Sequence, residues 1–193
     1  MSRTTHPSGL WLCSRRQERY EGGIVARRLS RQELEVEVEF YSFALQEADD
    51  SLVPNPFPED SESDDFISLH ERRIDIKSGG HTHTATLTAE VWTTAPEVVE
   101  GEWEAEGGGE IECPTGELAV REMMGNSGNY IELKQAGLWK FRAYCTGREA
   151  VYRLAQVDVP SGVERYLVQF WPAEGLSILP GGSFGSVRVM ATL

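Results

Sequence analysis

A chain of 193 residues, 40% hydrophobic and 25% charged, has the size of one globular domain with a core of its own. Its 18 Lys and Arg stand against 31 Asp and Glu, a net charge of −13, which speaks against binding DNA, RNA or anionic lipid, since phosphate neutralisation needs clustered cations. A basic protein is the partner such a charge fits, and solubility is its plainer use.

Charge is unevenly placed. Residues 1–32 hold seven arginines against two glutamates, a net +5, and leave −18 to residues 33–193. Cys13, Cys113 and Cys145 show no CxxC pairing and read as free thiols, which suits a reducing cytoplasm. No apolar run approaches the ~18 residues of a membrane helix, and the longest near the N-terminus is Leu10-Trp11-Leu12-Cys13. A cytoplasmic protein with no membrane partner is expected.

Residues 1–32 carry no sustained period of 2 or 3.6 and are expected to form a basic arm or edge strands, irregular in part, ahead of a single domain over 33–193. In Glu33-Leu34-Glu35-Val36-Glu37-Val38-Glu39-Phe40, strict alternation puts Leu34, Val36, Val38 and Phe40 on one face and the glutamates on the other, as in a half-buried strand. Past Phe40 the apolar phase slips by one, to Tyr41, Phe43 and Leu45, which predicts a β-bulge near Phe40-Tyr41. Spaced prolines and an acidic-serine run make 53–65 an exposed acidic loop inside the domain.

Short strands are expected next at 66–69, 74–76 and 81–93, and Glu102-Trp103-Glu104-Ala105-Glu106 alternates before Gly107-Gly108-Gly109, which reads as a turn. The series continues at 111–113, 118–123, 130–133, 138–145, 151–159, 166–171 and 186–191, separated by Gly, Pro, Asn or Ser. Only Glu117 to Met124 offers a short helix. So many close-spaced strands predict an all-β fold, a sandwich or flattened barrel, and a mainly antiparallel β-sandwich is the expectation taken forward.

Candidate chemistry is sparse. His81 and His83, two apart on a strand, point the same way and with Glu90 invite a metal-dependent enzyme; the alternative is a pair of exposed histidines at a strand entrance after Gly79-Gly80. Cys145 shares a face with Trp139, Phe141 and Ala143 and reads as core rather than nucleophile. The glycines form no phosphate loop; no catalytic residue or metal site is assigned, and no cofactor is expected. Glu35, Glu37 and Glu39 form one carboxylate stripe and Glu102, Glu104 and Glu106 a second, either a solvated surface or a docking face for a basic protein. Trp92 shares a face with threonines and Trp103 is flanked by glutamates, so these two are placed to bind a carbohydrate or other small ligand, while Trp139 and Trp171 read as core.

In Arg165-Tyr166-Leu167-Val168-Gln169-Phe170-Trp171-Pro172, large residues occupy both faces, the mark of a central strand, and Pro172 ends the ladder. That stretch, with Gly137-Leu138-Trp139-Lys140-Phe141-Arg142 and Thr146-Gly147-Arg148-Glu149 before it, resembles a family of small bacterial β-proteins. The family takes in uncharacterised actinobacterial proteins and, distantly, the competence-associated nuclease inhibitor ComJ. Phe40-Tyr41-Ser42-Phe43 resembles its first aromatic strand. The likeness lies mainly over 137–173 and implies the β-fold and, through the distant relative, nuclease inhibition by protein contact. Together with the charge it leads to a non-enzymatic acidic protein that engages a basic nuclease or toxin as an inhibitor or immunity protein. An open sheet edge would also allow a homodimer.

Overall fold

The computed structural model describes residues 25–56, 58, 65–122 and 125–174. Most of the expected arm, the middle of the acidic loop and the strand expected at 186–191 lie outside the described residues. Ten strands and one helix follow in order: β1 (Arg28–Glu39), β2 (Ser42–Glu47), β3 (Ile67–His70), β4 (Arg73–Lys77), β5 (Thr82–Trp92), β6 (Ala105–Cys113), β7 (Glu117–Glu122), β8 (Gly125–Glu132), β9 (Gly137–Thr146), α1 (Arg148–Leu154) and β10 (Ser161–Pro172).

The strands run β3-β4-β2-β1-β5-β10-β9-β6 in one sheet, with β7 paired to β2 and β8 to β7. All pairs are antiparallel except β5–β10. The all-β, mainly antiparallel expectation therefore holds with one parallel pair. Instead of two stacked layers, the sheet rolls nearly into a barrel, bringing its end strands β3 and β6 into contact. Here the glycines expected to turn the chain lie inside β6: a Cβ on Gly107 would sit 2.7 Å from Ile67 and one on Gly109 2.5 Å from Leu69. Missing side chains on β6 are what let β3 close over it.

Val36, Val38, Phe43, Leu45, Leu87, Trp139, Phe141, Val168 and Phe170 fill the interior, each 3% exposed or less. β10 lies between β5 and β9, the central place its two apolar faces require, and Pro172 pairs last, with Trp139. Cys113 and Cys145 are free and buried. Burial, with Glu47 adding, pushes the Cys113 thiol up to about 12. Burial and then Glu164 raise Cys145 further, so both are packing groups.

Two local expectations are corrected. The bulge at Phe40-Tyr41 is a two-residue turn: Glu39 pairs with Ser42, and both turn residues have positive φ, 51° and 64°. A two-residue reversal slips the apolar phase just as a bulge does. The strand expected at 118–123 is β7, Glu117–Glu122, held between β2 and β8, and the short helix that 117–124 also offered does not form over it. The helix is α1, where a strand was expected from 151; Glu149 and Arg153, one turn apart at 2.7 Å, support it, and only Val151 is buried.

Candidate functional site

β1 carries its glutamates on the outer face over a floor of buried Val36 and Val38, with Glu35 and Glu37 exposed and Glu39 half-buried. The edge of β1 not paired with β5 is bridged to the β7–β8 hairpin by side chains. Gln32 Nε2 donates to Tyr130 O at 3.1 Å, Asn129 Nδ2 to Glu35 O at 3.0 Å, and the Glu37 N–H to Glu122 Oε1 at 2.9 Å. Glu122 thus joins the stripe. Burial raises its pKa, and the like charges of Glu37 and Glu39 add to the rise.

A carboxyl whose folded pKa is raised destabilises the fold at pH above that value and costs nothing below its unfolded value. Glu122→Gln, which keeps an acceptor for Glu37 N–H, is therefore expected to raise Tm at pH 7 and to leave it unchanged near pH 4, read by thermal unfolding at both.

At the end of the stripe stand Phe40 and Tyr41, 61% and 40% exposed. Each ring packs on His81 with centroids 5.0 Å apart. Their turn is anchored by Tyr41 N–H donating to His81 O at 3.2 Å and Ser78 N–H to Tyr41 O at 2.8 Å.

The second glutamate group is not a strand face, because β6 begins only at Ala105. Glu102 and Glu106 are exposed. Glu104 clamps the start of α1, its two oxygens accepting the Gly147 and Glu149 N–H groups at 2.6 and 2.8 Å.

Gln169 and Glu90 sit side by side on neighbouring strands, on the outer face of the barrel yet buried, beside residues 95–99. Glu90 accepts from Gln169 Nε2 at 2.9 Å, Arg28 Nη1 at 2.7 Å and Trp92 Nε1 at 3.1 Å. Burial opposes its charge, but these three donors outweigh it and hold the carboxyl below the usual range. The cluster floors an open cleft walled by Ala26, Trp92, Pro96, Val98, Val99 and Leu167. Trp103 has its ring 5.0 Å from that of Tyr144, and its N–H donates at 2.9 Å to the O of Val99, one of the walls of that cleft.

The histidines diverge as well. His83 faces the barrel interior, Glu90 the outside, and His81 lies under the Phe40-Tyr41 turn. Among the described residues no three His, Cys, Asp or Glu are grouped to hold a metal. His83 belongs instead to a buried network that the sequence does not announce. Glu164 Oε2 accepts from the Ser78 hydroxyl and from His83 Nε2 at 3.0 Å, and Oε1 from the Gly79 N–H at 2.9 Å, with Arg148 Nη1 3.7 Å away. Burial opposes the Glu164 charge, yet His83, Ser78 and the Gly79 N–H hold its pKa below the usual value. A serine-histidine-acid relay places the acid on Nδ1. Here serine and acid both meet Nε2, and all three side chains are buried, so the trio fastens the end of the barrel.

No protein-family model and no curated protein matches the chain. Among solved structures it is similar to ComJ, the inhibitor of the DNA-degrading activity of NucA, from Bacillus subtilis, with a TM-score of 0.54 at 10% identity over 77% of this chain and 99% of that one. A second, described as crocagin biosynthetic gene J, matches with a TM-score of 0.53 at 10% identity over 75% of this chain and 98% of that one. The likeness is one of fold, and it reaches well beyond the 137–173 stretch that carries the sequence resemblance. No helix among the described residues is long and apolar enough to cross a membrane.

Proposed function

We propose that this chain is a non-enzymatic acidic binding protein that presents the outer face of β1 to a basic protein, a nuclease whose activity it blocks. The observation that carries this is the stripe of Glu35, Glu37 and Glu39, with Glu122 pressed against it, on a strand fixed by a buried floor of Val36 and Val38. Like charges collected at one place cost the free protein stability and are relieved by a cationic partner. Nuclease clefts that bind phosphate present such cations. The ComJ-like fold supports the inhibitor role, and the −13 net charge would steer a basic partner toward the face.

The test is the DNA-degrading activity of purified NucA with increasing amounts of the chain, at low and high salt. The wild-type chain is expected to slow degradation at low salt and less so at high salt. Charge reversal, Glu35→Lys, Glu37→Lys and Glu39→Lys together, is expected to weaken inhibition by about 30-fold or more, largely through the association rate. Equal inhibition by the reversed variant would remove this face from the interface, and no inhibition by the wild-type chain would remove the nuclease.

A further inference from the structure

Going beyond charge, and resting on the acidic-face reading, we infer that the Phe40-Tyr41 turn is the apolar anchor of the same interface, inserting into a pocket on the partner rimmed by Lys or Arg. A protein interface draws most of its energy from a few buried aromatic groups, while charges at its rim govern approach. The stripe supplies the rim but offers nothing to bury. At its end Phe40, 61% exposed, and Tyr41, 40% exposed, are the large apolar groups of β1 and its turn that meet water.

Neither aromatic is needed for the reversal. Two-residue turns with positive φ at both positions favour Asn-Gly, because bulky side chains crowd the backbone there. At φ 51° and 64° the sequence places phenylalanine and tyrosine instead. The rings do not use that position to enter the core: they pack on half-buried His81 at 5.0 Å and stay outside. His81 acts as a backing plate, fixing both rings before a partner arrives and so reducing the ordering cost of binding. Phe40 directly follows Glu39, so cations drawn to the stripe would lie beside its ring, where the ring face attracts them too. That fixes the chemistry of the occupant: an apolar pocket between cationic side chains.

The experiment compares the wild-type chain with the Phe40→Asn/Tyr41→Gly double variant in three readouts. In the NucA degradation assay the variant is expected to lose inhibition by about 30-fold or more while keeping the salt dependence of the wild-type chain. In thermal unfolding its Tm is expected to hold or rise, since Asn-Gly suits the turn. In sedimentation both chains are expected to show the same mass. Undiminished inhibition by the variant, beside a charge-reversed variant that fails, overturns the anchor and leaves the acidic face standing. A wild-type chain that does not inhibit NucA overturns the nuclease reading of the proposed function and this inference with it. A Tm lower by more than about 5 °C, beyond what a surface change costs a domain this size, overturns it by making the aromatics structural. A dimer that only the wild-type chain forms overturns it by making a second copy the occupant.

Discussion

Replacing Glu164 by alanine is expected to lower the unfolding free energy by about 3–5 kcal/mol, a fall in Tm on the order of 10 °C for a domain of this size. The carboxylate is fully buried and accepts from Ser78, His83 and the Gly79 N–H at once. Alanine leaves those buried donors in place without their carboxylate acceptor, and removes the counter-charge from Arg148. The pieces released are the three that close one end of the barrel: the β4–β5 loop, β10 and the start of α1. Glu164→Gln keeps an acceptor oxygen but turns an N–H₂ toward a donor, so a smaller loss of about 1–3 kcal/mol is expected.

The pH dependence separates charge from shape. The folded pKa of Glu164 is lowered from 4.5. Its stabilising contribution is therefore complete above the unfolded value and disappears as pH falls through the folded one. Chemical denaturation from pH 7 down to pH 3 should show the wild-type chain converging on Glu164→Gln, whose own profile lacks that descent. Parallel profiles would mean that Glu164 has the same pKa in the folded and the unfolded chain, and a wild-type chain that gains on Glu164→Gln as pH falls would mean that Glu164 is not ionised in the folded protein.

The elements legible in the sequence are those whose neighbours are local or whose burial is one-sided. Val36 and Val38 alternate with glutamates because β1 has one wet face, and 166–171 is apolar on both sides because β10 lies between two strands under cover. Gln169 looks out of place only until its neighbour is known: in register with Glu90, it is the amide that helps charge stay buried there. What stayed hidden depends on distant partners. Ser78 and Glu164 are 86 positions apart, and nothing near either residue signals the other. A glycine triplet reads as a turn by composition, and its true office, making room on β6 for Ile67 and Leu69, belongs to the closure of the barrel. The slip after Phe40 was visible, but a bulge and a two-residue turn leave the same trace, and only the pairing of Glu39 with Ser42 separates them. The carboxylate stripe was legible as a pattern, whereas the contribution of Glu122 required the hairpin to be placed beside β1.

Gly147→Ala is expected to cost on the order of 3 kcal/mol, and the backbone angle is only part of the reason. At φ 86° an alanine bears roughly 1–2 kcal/mol of left-handed strain. The added Cβ would in addition lie 2.2 Å from Val163 O and 3.0 Å from its carbonyl carbon, both in the backbone of β10, which cannot swing aside as a side-chain tip would. Relief requires the β9–α1 turn to lift away from β10. That motion would pull the Gly147 and Glu149 N–H groups off Glu104 and draw Arg148 from Glu164. Gly128→Ala is the control: its φ is +81° and nothing lies within 4 Å of the new Cβ, so it carries the angle strain alone. The difference between the two variants in denaturant midpoint, at equal slope, measures the overlap. A clear excess for Gly147→Ala would place the β9–α1 turn among the rigid parts that hold Glu164 in its network. Equal losses would mean that the turn yields freely and that Glu164 is fixed by Ser78, His83 and Gly79 without help from the helix.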